Sequence, residues 1–143
     1  HLLLDGATVR VAEVEVTAEP LDHVVPTLGY IVDDGDVASA FVSDTGPTDR
    51  IWRVLAENPR LRASLLETSF LNRLDWLVEQ AKHLTPARVG TERRKLRELN
   101  PALSPMICFV HMKPWHEPEI AAEIAGLGLP QWQLLEAGRE FRL

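Results

Sequence analysis

Histidine and carboxylate side chains follow several apolar runs in this 143-residue sequence. His23 comes shortly after a valine-rich run, Asp44 after a second apolar run and His111 immediately after a third. Loops at strand ends often carry functional residues on a rigid scaffold. Imidazole and carboxylate groups are ligands that zinc takes in proteins, so these three residues are candidate metal ligands. Each also has a simpler interpretation, because a lone His is often a loop residue and Asp44 lies in a turn-forming Ser-Asp-Thr-Gly-Pro segment.

A second pair of residues suggests proton transfer or charge stabilisation. Glu67 ends an apolar run, where a carboxylate is costly unless another group pairs with it. We predict that His83 is its partner and that a hydrogen bond joins them. His83 lies two residues before Thr85-Pro86, a typical helix start. Free N–H groups and the dipole at a helix N-terminus favour an anion, so His83 is placed to meet a phosphate. A surface His in a connecting loop is the simpler alternative.

The segment after His111 adds a cation to this set. Lys113 follows His111 by two residues and could hold a phosphate by its charge. His116 is a weaker candidate, because Glu117-Pro118 predicts a helix start that would leave it exposed.

The spacing of apolar residues predicts strands in the first third of the chain and alternating strands and helices after it. Predicted strands cover residues 9–16 (with a bulge near Ala12-Glu13), 28–32, 37–42, 63–67, 105–110 and 132–135, and a short one near Phe141. Predicted helices cover 51–56, 74–81 with Asn72 as its cap, 86–99 and 120–127. This order predicts an α/β (α+β) fold, a mixed sheet with flanking helices.

The composition is that of one globular domain that covers residues 1–143. Hydrophobic residues make up 45% of the chain and charged residues 25%, which is enough to form a core. The net charge of −6 argues against binding of duplex nucleic acid through a basic face. No run approaches the roughly 18 apolar residues that a membrane-spanning helix needs. Cys108 is the single cysteine, which excludes an internal disulfide.

Taken in order, these segments resemble the metallo-β-lactamase superfamily, most closely the branch that holds ribonuclease Z and the class II cyclic-nucleotide phosphodiesterases. The family pattern is a His before a Gly-Tyr strand, an Asp-Thr-Gly loop, a Glu after a strand, a His-Leu-Thr-Pro segment and a His after a later strand. The counterparts here are His23 with Gly29-Tyr30, Ser43–Pro47, Glu67–Phe70, His83–Pro86 and His111–Pro114. Ser43 replaces the leading Gly of the family loop. The resemblance implies part of an αββα sandwich, in which two mixed sheets are flanked by helices.

The resemblance implies a metal-dependent hydrolase that acts on a small phosphodiester, in particular a 3′,5′-cyclic nucleotide. Two divalent ions, zinc or alternatively manganese, would clamp the substrate and supply hydroxide at neutral pH. By the family pattern, His23 would bind one ion, His111 would bind the other and Asp44 would bridge both.

The remaining motif residues would act on the phosphate itself. His83, oriented by Glu67, would protonate the leaving oxygen or stabilise the developing charge. His83 and Lys113 would also bind the substrate. The acidic net charge favours a small substrate over long RNA.

One family motif has no counterpart in this chain. The HxHxDH metal motif is absent, and no His-x-His occurs anywhere in the sequence. We therefore expect the chain to be the C-terminal half of the domain, with the N-terminal half of the same domain as its missing partner. About two protein ligands per ion remain, whereas catalytic zinc usually has three, so this chain alone should be inactive.

Two other functions stay open at this point. The chain could be a metal-free relative that binds a nucleotide or a partner protein. It could also be a structural α/β domain in which these polar residues are turns and caps. A homodimer is compatible with the sequence, and so is a cytoplasmic or a periplasmic location, with the cytoplasm as our assignment.

Overall fold

A seven-stranded mixed sheet is the centre of the computed structural model, which describes residues 5–136, 138 and 140. Its strands lie in chain order across the sheet. They are β1 (Thr8–Val11), β2 (Val14–Leu21), β3 (Thr27–Asp33), β4 (Ala38–Val42), β5 (Leu61–Glu67), β6 (Met106–Val110) and β7 (Trp132–Leu134). The helices are α1 (Arg50–Ala56), α2 (Asp75–Ala81), α3 (Pro86–Leu99) and α4 (Glu117–Ala125), with 3-10 helices at Asn72–Leu74 and Pro114–His116. The strand predicted near Phe141 lies outside the described residues.

Strands β1 to β4 form an antiparallel meander. Val11 pairs with Val14, so Ala12 and Glu13 form a two-residue hairpin turn in which Ala12 has a φ of 54°. The bulge predicted at this point is therefore wrong. The change of phase in the apolar pattern marks the end of one strand and the start of the next.

Strands β4 to β7 are parallel, and each connection between them contains at least one helix. Such crossovers are almost always right-handed, so strands added in one direction carry their helices on one face. The core lies between that face and the helices, where Leu66 and Phe109 belong to one buried cluster with Trp52 of α1. The predicted mixed sheet with flanking helices is confirmed. Within the described residues, no helix is both long and apolar enough to cross a bilayer.

The other face of the sheet is apolar and partly exposed. Directly paired strand residues share a face, and one such row contains Ala18, Tyr30, Phe41, Leu65 and Cys108. Phe41 is 41% exposed, and Tyr30 and Leu65 are partly exposed. We call this row and its neighbours on the same side the open face. In a two-sheet sandwich, residues of this kind are covered by the second sheet.

The predicted start of α3 is confirmed, whereas the predicted cap of α2 is wrong. Thr85 accepts a hydrogen bond from the backbone N–H of Arg88, and Pro86 is the first helical residue. Asn72 does not cap α2, whose N-terminus has no side-chain cap. Its Oδ1 instead accepts a hydrogen bond from the backbone N–H of Ala87 at 2.8 Å, so Asn72 caps α3.

Candidate functional site

The loops that carry the candidate residues meet at one edge of the sheet. β2 and β4 run in the same direction because each pairs antiparallel with β3, and β5 and β6 continue parallel to β4. The loops after these four strands therefore leave the sheet at the same edge. They carry His23, Asp44, Ser69 and His111, and the connection between α2 and α3 brings His83 to the same place.

Three imidazole rings lie together at this edge. The ring centroids of His23 and His83 are 5.0 Å apart, and those of His83 and His111 are 5.6 Å apart. The side chain of His83 is 13% exposed, and that of His111 is 41% exposed. The structure thus brings together three residues that are far apart in the sequence, with His83 in the middle.

Each of the three rings directs its Nδ1 at an oxygen. Nδ1 of His23 lies 3.0 Å from the backbone oxygen of Lys82, the residue after α2, and Nδ1 of His83 lies 2.8 Å from Oε1 of Glu67. Nδ1 of His111 lies 2.7 Å from Oδ1 of Asp44. Carbonyl and carboxylate oxygens accept hydrogen bonds, so each Nδ1 carries a proton and donates it. In the neutral ring Nε2 keeps its lone pair, which leaves three nitrogens able to bind a metal ion or accept a proton.

Glu67 is fully buried and accepts three hydrogen bonds. Its Oε1 accepts from the backbone N–H of Thr45 at 2.9 Å and from Nδ1 of His83 at 2.8 Å. Its Oε2 accepts from the hydroxyl of Ser69. The predicted hydrogen bond between Glu67 and His83 is therefore present. The three donors satisfy a carboxylate that would otherwise be costly to bury, and the carboxylate in turn orients the ring of His83.

Ser69 belongs to the site, although the sequence pattern assigns it no role within the Glu67–Phe70 segment. Its Oγ donates to Glu67 and also lies 3.1 Å from Nδ1 of His111 and 3.5 Å from Nδ1 of His83. The hydroxyl therefore links the buried carboxylate to two of the rings. The signal that could have identified it is its position two residues after Glu67, at the same strand end.

Two residues of the site have left-handed backbone conformations. His111, the first residue after β6, has a φ of 61°, and Lys82, at the end of α2, has a φ of 52°. This conformation costs a non-glycine residue about 1–2 kcal/mol and persists where the surrounding structure requires it. Both residues orient the site, since the Lys82 oxygen contacts His23 and the ring of His111 contacts Asp44.

Asp44, His83 and His111 each present one ligand atom within 4.8 Å of the others. One carboxylate oxygen with two imidazole nitrogens is a donor set that suits zinc, and manganese also takes carboxylate ligands. The residues at this edge therefore fit a divalent ion. The sequence motifs place His23 rather than His83 among the ligands, and His23 adjoins the group through its ring contact with His83. The roles of His23 as a ligand and of His83 as an acid stay predictions.

Lys113 lies over the ring of Phe70, which neighbours His83. Its Nζ is 5.4 Å from the centroid of the Phe70 ring, and that centroid is 5.7 Å from the centroid of the His83 ring. A cation over an aromatic face is attracted by the ring. This arrangement holds a positive charge on the ring that neighbours His83, and the phosphate-binding role of Lys113 stays a prediction.

Solved structures with the same fold are known, although the sequence matches no protein-family model and no curated protein sequence. The metallo-β-lactamase fold protein YhfI from Bacillus subtilis has a TM-score of 0.74 at 14% identity, over 95% of this chain and 52% of its own. The short form of human tRNase Z has a TM-score of 0.63 at 14% identity, over 90% of this chain and 42% of its own. A diphosphatase of the PhnP family has a TM-score of 0.64 at 19% identity, over 98% of this chain and 48% of its own.

The likeness to these structures concerns the fold, because none of the three is more than 19% identical to this chain. The chain spans about half the length of each of them. The mixed sheet, with helices in each connection between its parallel strands, agrees with these matches. The chain therefore has a metallo-β-lactamase fold, as its motifs predict, over about half the length of these structures.

Proposed function

We propose that this chain is part of a metal-dependent hydrolase that cleaves a phosphodiester, and that the substrate is a 3′,5′-cyclic nucleotide. The observation that carries the proposal is the arrangement of His23, His83 and His111. In each ring the Nδ1–H group donates a hydrogen bond to an oxygen. Metal-binding histidines typically make this kind of hydrogen bond to a carboxylate or a backbone carbonyl. Two proteins of similar structure, tRNase Z and the diphosphatase, are named for the cleavage of tRNA and of diphosphates, which supports a phosphate substrate.

The ions would be held by His23, Asp44 and His111. Two ions would bind there, zinc or alternatively manganese. When bound, they would polarise the phosphodiester and supply the nucleophile at neutral pH. The contact between Asp44 and His111 places a carboxylate beside these ligands, and its negative charge favours the binding of a cation.

His83 would transfer a proton to the leaving oxygen or stabilise the charge that develops on the phosphate. Its Nδ1 is occupied by the hydrogen bond to Glu67, so Nε2 is the ring atom left to meet the substrate. The buried carboxylate of Glu67 fixes the orientation of the ring through this hydrogen bond. Lys113 would add a positive charge for the phosphate oxygens.

The N-terminal half of the same domain would complete the site by packing on the open face. Exposed apolar surface of this kind marks an interface, and two stacked sheets cover each other's inner faces. The ligands present in this chain are also too few for two catalytic ions, because a catalytic zinc usually takes three from the protein. We therefore expect the isolated chain to hydrolyse phosphodiesters at near-background rates.

Hydrolysis of cyclic AMP and of bis(p-nitrophenyl) phosphate tests this function. The protein that contains this chain together with the N-terminal half should turn over both compounds in the presence of zinc. His111→Ala should abolish the activity, and His116→Ala, the matched control, should retain it. A zinc-loaded complete protein that hydrolyses no phosphodiester, yet binds cyclic AMP without metal, would instead support the binding-module alternative.

A further inference from the structure

A basic groove lies on the outer side of α3, between this helix and the segment that follows α4. Its volume is about 420 Å³, and no residue of the candidate metal centre lines it. The lining side chains on α3 are Arg93, Arg94 and Arg97, and Leu127 and Leu129 lie opposite them. Among the described residues that line the groove, none is acidic.

The geometry of α3 places the three guanidinium groups on one flank. Arg94 and Arg97 are three residues apart and Arg93 is adjacent, so all three lie within about 6 Å along the helix axis. Val89 and Leu96 lie on the adjacent face of α3, which is buried in the core. Gly90 lies one turn before Arg94 and leaves open space, since a Cβ there would meet only Leu127, at 3.5 Å.

Among the described residues, these guanidinium groups lack the carboxylate partners that several other arginines have. In the described part of the chain, no ion pair within 4.0 Å involves Arg93, Arg94 or Arg97. Arginines with such a partner are Arg50, Arg60, Arg73 and Arg88. Partial burial lowers the pKa of Arg93, and the neighbouring charge of Arg97 lowers it further. Clustered like charges are unfavourable without an anion, and here they occur in a chain with a net charge of −6.

We propose that this groove binds a compact polyphosphate group, as found in inorganic polyphosphate or in a nucleoside triphosphate. The planar fork of arginine matches two oxygens of one phosphate, so three forks fit two or three consecutive phosphates. The short span of the three arginines suits a compact anion better than an extended strand of nucleic acid. The volume is within the range of small-molecule sites, roughly 300–1,000 Å³. The two leucines form an apolar wall that strengthens the attraction between the opposite charges.

Titration calorimetry with sodium tripolyphosphate at low salt tests this site. The wild-type chain should bind with a stoichiometry of one, and the double variant Arg93→Gln/Arg97→Gln should bind at least about tenfold more weakly. The double variant Arg10→Gln/Arg62→Gln removes the same charge and is the matched control. Both of these arginines donate only to backbone oxygens among the described residues, so the control should bind like the wild type.

ATP in place of tripolyphosphate distinguishes the two sources of the phosphate chain. Tighter binding of ATP indicates a nucleotide, and equal binding indicates an inorganic polyphosphate. The proposal is overturned if tripolyphosphate does not bind, or if both double variants weaken its binding equally. Tighter binding of a 12-nucleotide single-stranded RNA than of either compound would also overturn it.

Discussion

Glu67 is the residue that connects the separate parts of the candidate site. Its buried carboxylate holds the loop after β4 through Thr45, the loop after β5 through Ser69 and the α2–α3 connection through His83. An ionised carboxylate only accepts hydrogen bonds, so it can satisfy all three donors at once. A glutamine in its place could keep one oxygen for Thr45 and His83, but its NH2 group would then face the hydroxyl of Ser69. The site therefore depends on a charge that no solvent reaches.

Replacing His83, whose ring Glu67 orients, tests the role of that ring directly. In the complete protein, His83→Ala should lower the rate of phosphodiester hydrolysis by roughly 10²–10⁴-fold, the range for a lost general acid. Metal content, measured by mass spectrometry of the purified protein, should stay at the wild-type value. Glu67→Gln should lower the rate less, because it removes the charge but can still orient the ring. Loss of metal from His83→Ala would identify His83 as a ligand instead, beside Asp44 and His111.

The pairing of Glu67 with His83 could be predicted from the sequence because a strand-end carboxylate needs a donor. The part played by Ser69 could not be predicted in the same way. Its hydroxyl reaches the rings of His83 and His111 only after three connections have packed at one edge. The contact of the Lys82 backbone oxygen with His23 could not be predicted either, because every residue type has a backbone oxygen.

At the scale of elements, an ion pair joins β3 to β5 at the edge of the sheet opposite the candidate site. Asp33 ends β3, and Arg60 directly precedes β5. Nε of Arg60 lies 2.9 and 3.1 Å from the two carboxylate oxygens of Asp33, and Nη2 lies 2.8 Å from one of them. These hydrogen bonds, with another from Asn58, lower the pKa of Asp33 to about 2, although its burial acts in the opposite direction.

Acid should weaken the fold through this pair. A carboxyl whose pKa is lowered on folding stabilises the protein above the pKa of the unfolded chain, here 3.8, and this contribution is lost as the pH falls toward about 2. Asp33→Asn should therefore lower the free energy of unfolding by about 2 kcal/mol at pH 6. The difference from wild type should fall below about 0.5 kcal/mol near pH 2.

Urea unfolding followed by circular dichroism at several pH values measures this effect. Asp36→Asn is the matched control, because Asp36 is an exposed carboxylate in the turn that follows β3. It should change the free energy of unfolding by less than about 0.5 kcal/mol at every pH. A destabilisation by Asp33→Asn that is equal at pH 6 and pH 2 would contradict the assigned pKa.

The order of strands and helices could be predicted from the spacing of apolar residues. Apolar residues recur every two residues in the strands and every three to four residues in the helices. The hairpin turn at Ala12 could not, since Ala-Glu lacks the Gly or Asn that usually marks such a turn. The cap of α3 by Asn72 could not be predicted either. Asn72 lies next to the start of α2 in sequence, and only the packing of the 3-10 helix brings it to Ala87.

At the scale of the whole molecule, the sheet has one face in the core and one open face. Phe41 lies near the middle of the open face and is 41% exposed, so its replacement should cost this chain little stability. Phe41→Glu should change the free energy of unfolding by less than about 1 kcal/mol. It should nevertheless prevent association with the N-terminal half, because a charge would then be buried between two sheets.

Co-purification of this chain with a separately expressed N-terminal half measures the association. Phe41→Leu is the matched control, since it keeps an apolar side chain, and it should associate like the wild type. Unchanged association of Phe41→Glu would show that the N-terminal half does not cover this face. A stable dimer of the isolated chain that Phe41→Glu disrupts would assign the face to a second copy.

Titration of the metal-free chain with zinc tests most directly whether His23, Asp44 and His111 form a metal centre. The wild-type chain should bind zinc weakly, and alanine at any of these three positions should lower the affinity at least about tenfold. His116→Ala is the matched control, because His116 lies outside the ligand group, and its Nδ1 is 3.7 Å from Oε1 of Glu119. This variant should bind zinc like the wild type. The metal centre would be contradicted if the wild type, His23→Ala and His111→Ala bound zinc with equal affinity. Tight binding of two ions by this chain would contradict the ligand assignment.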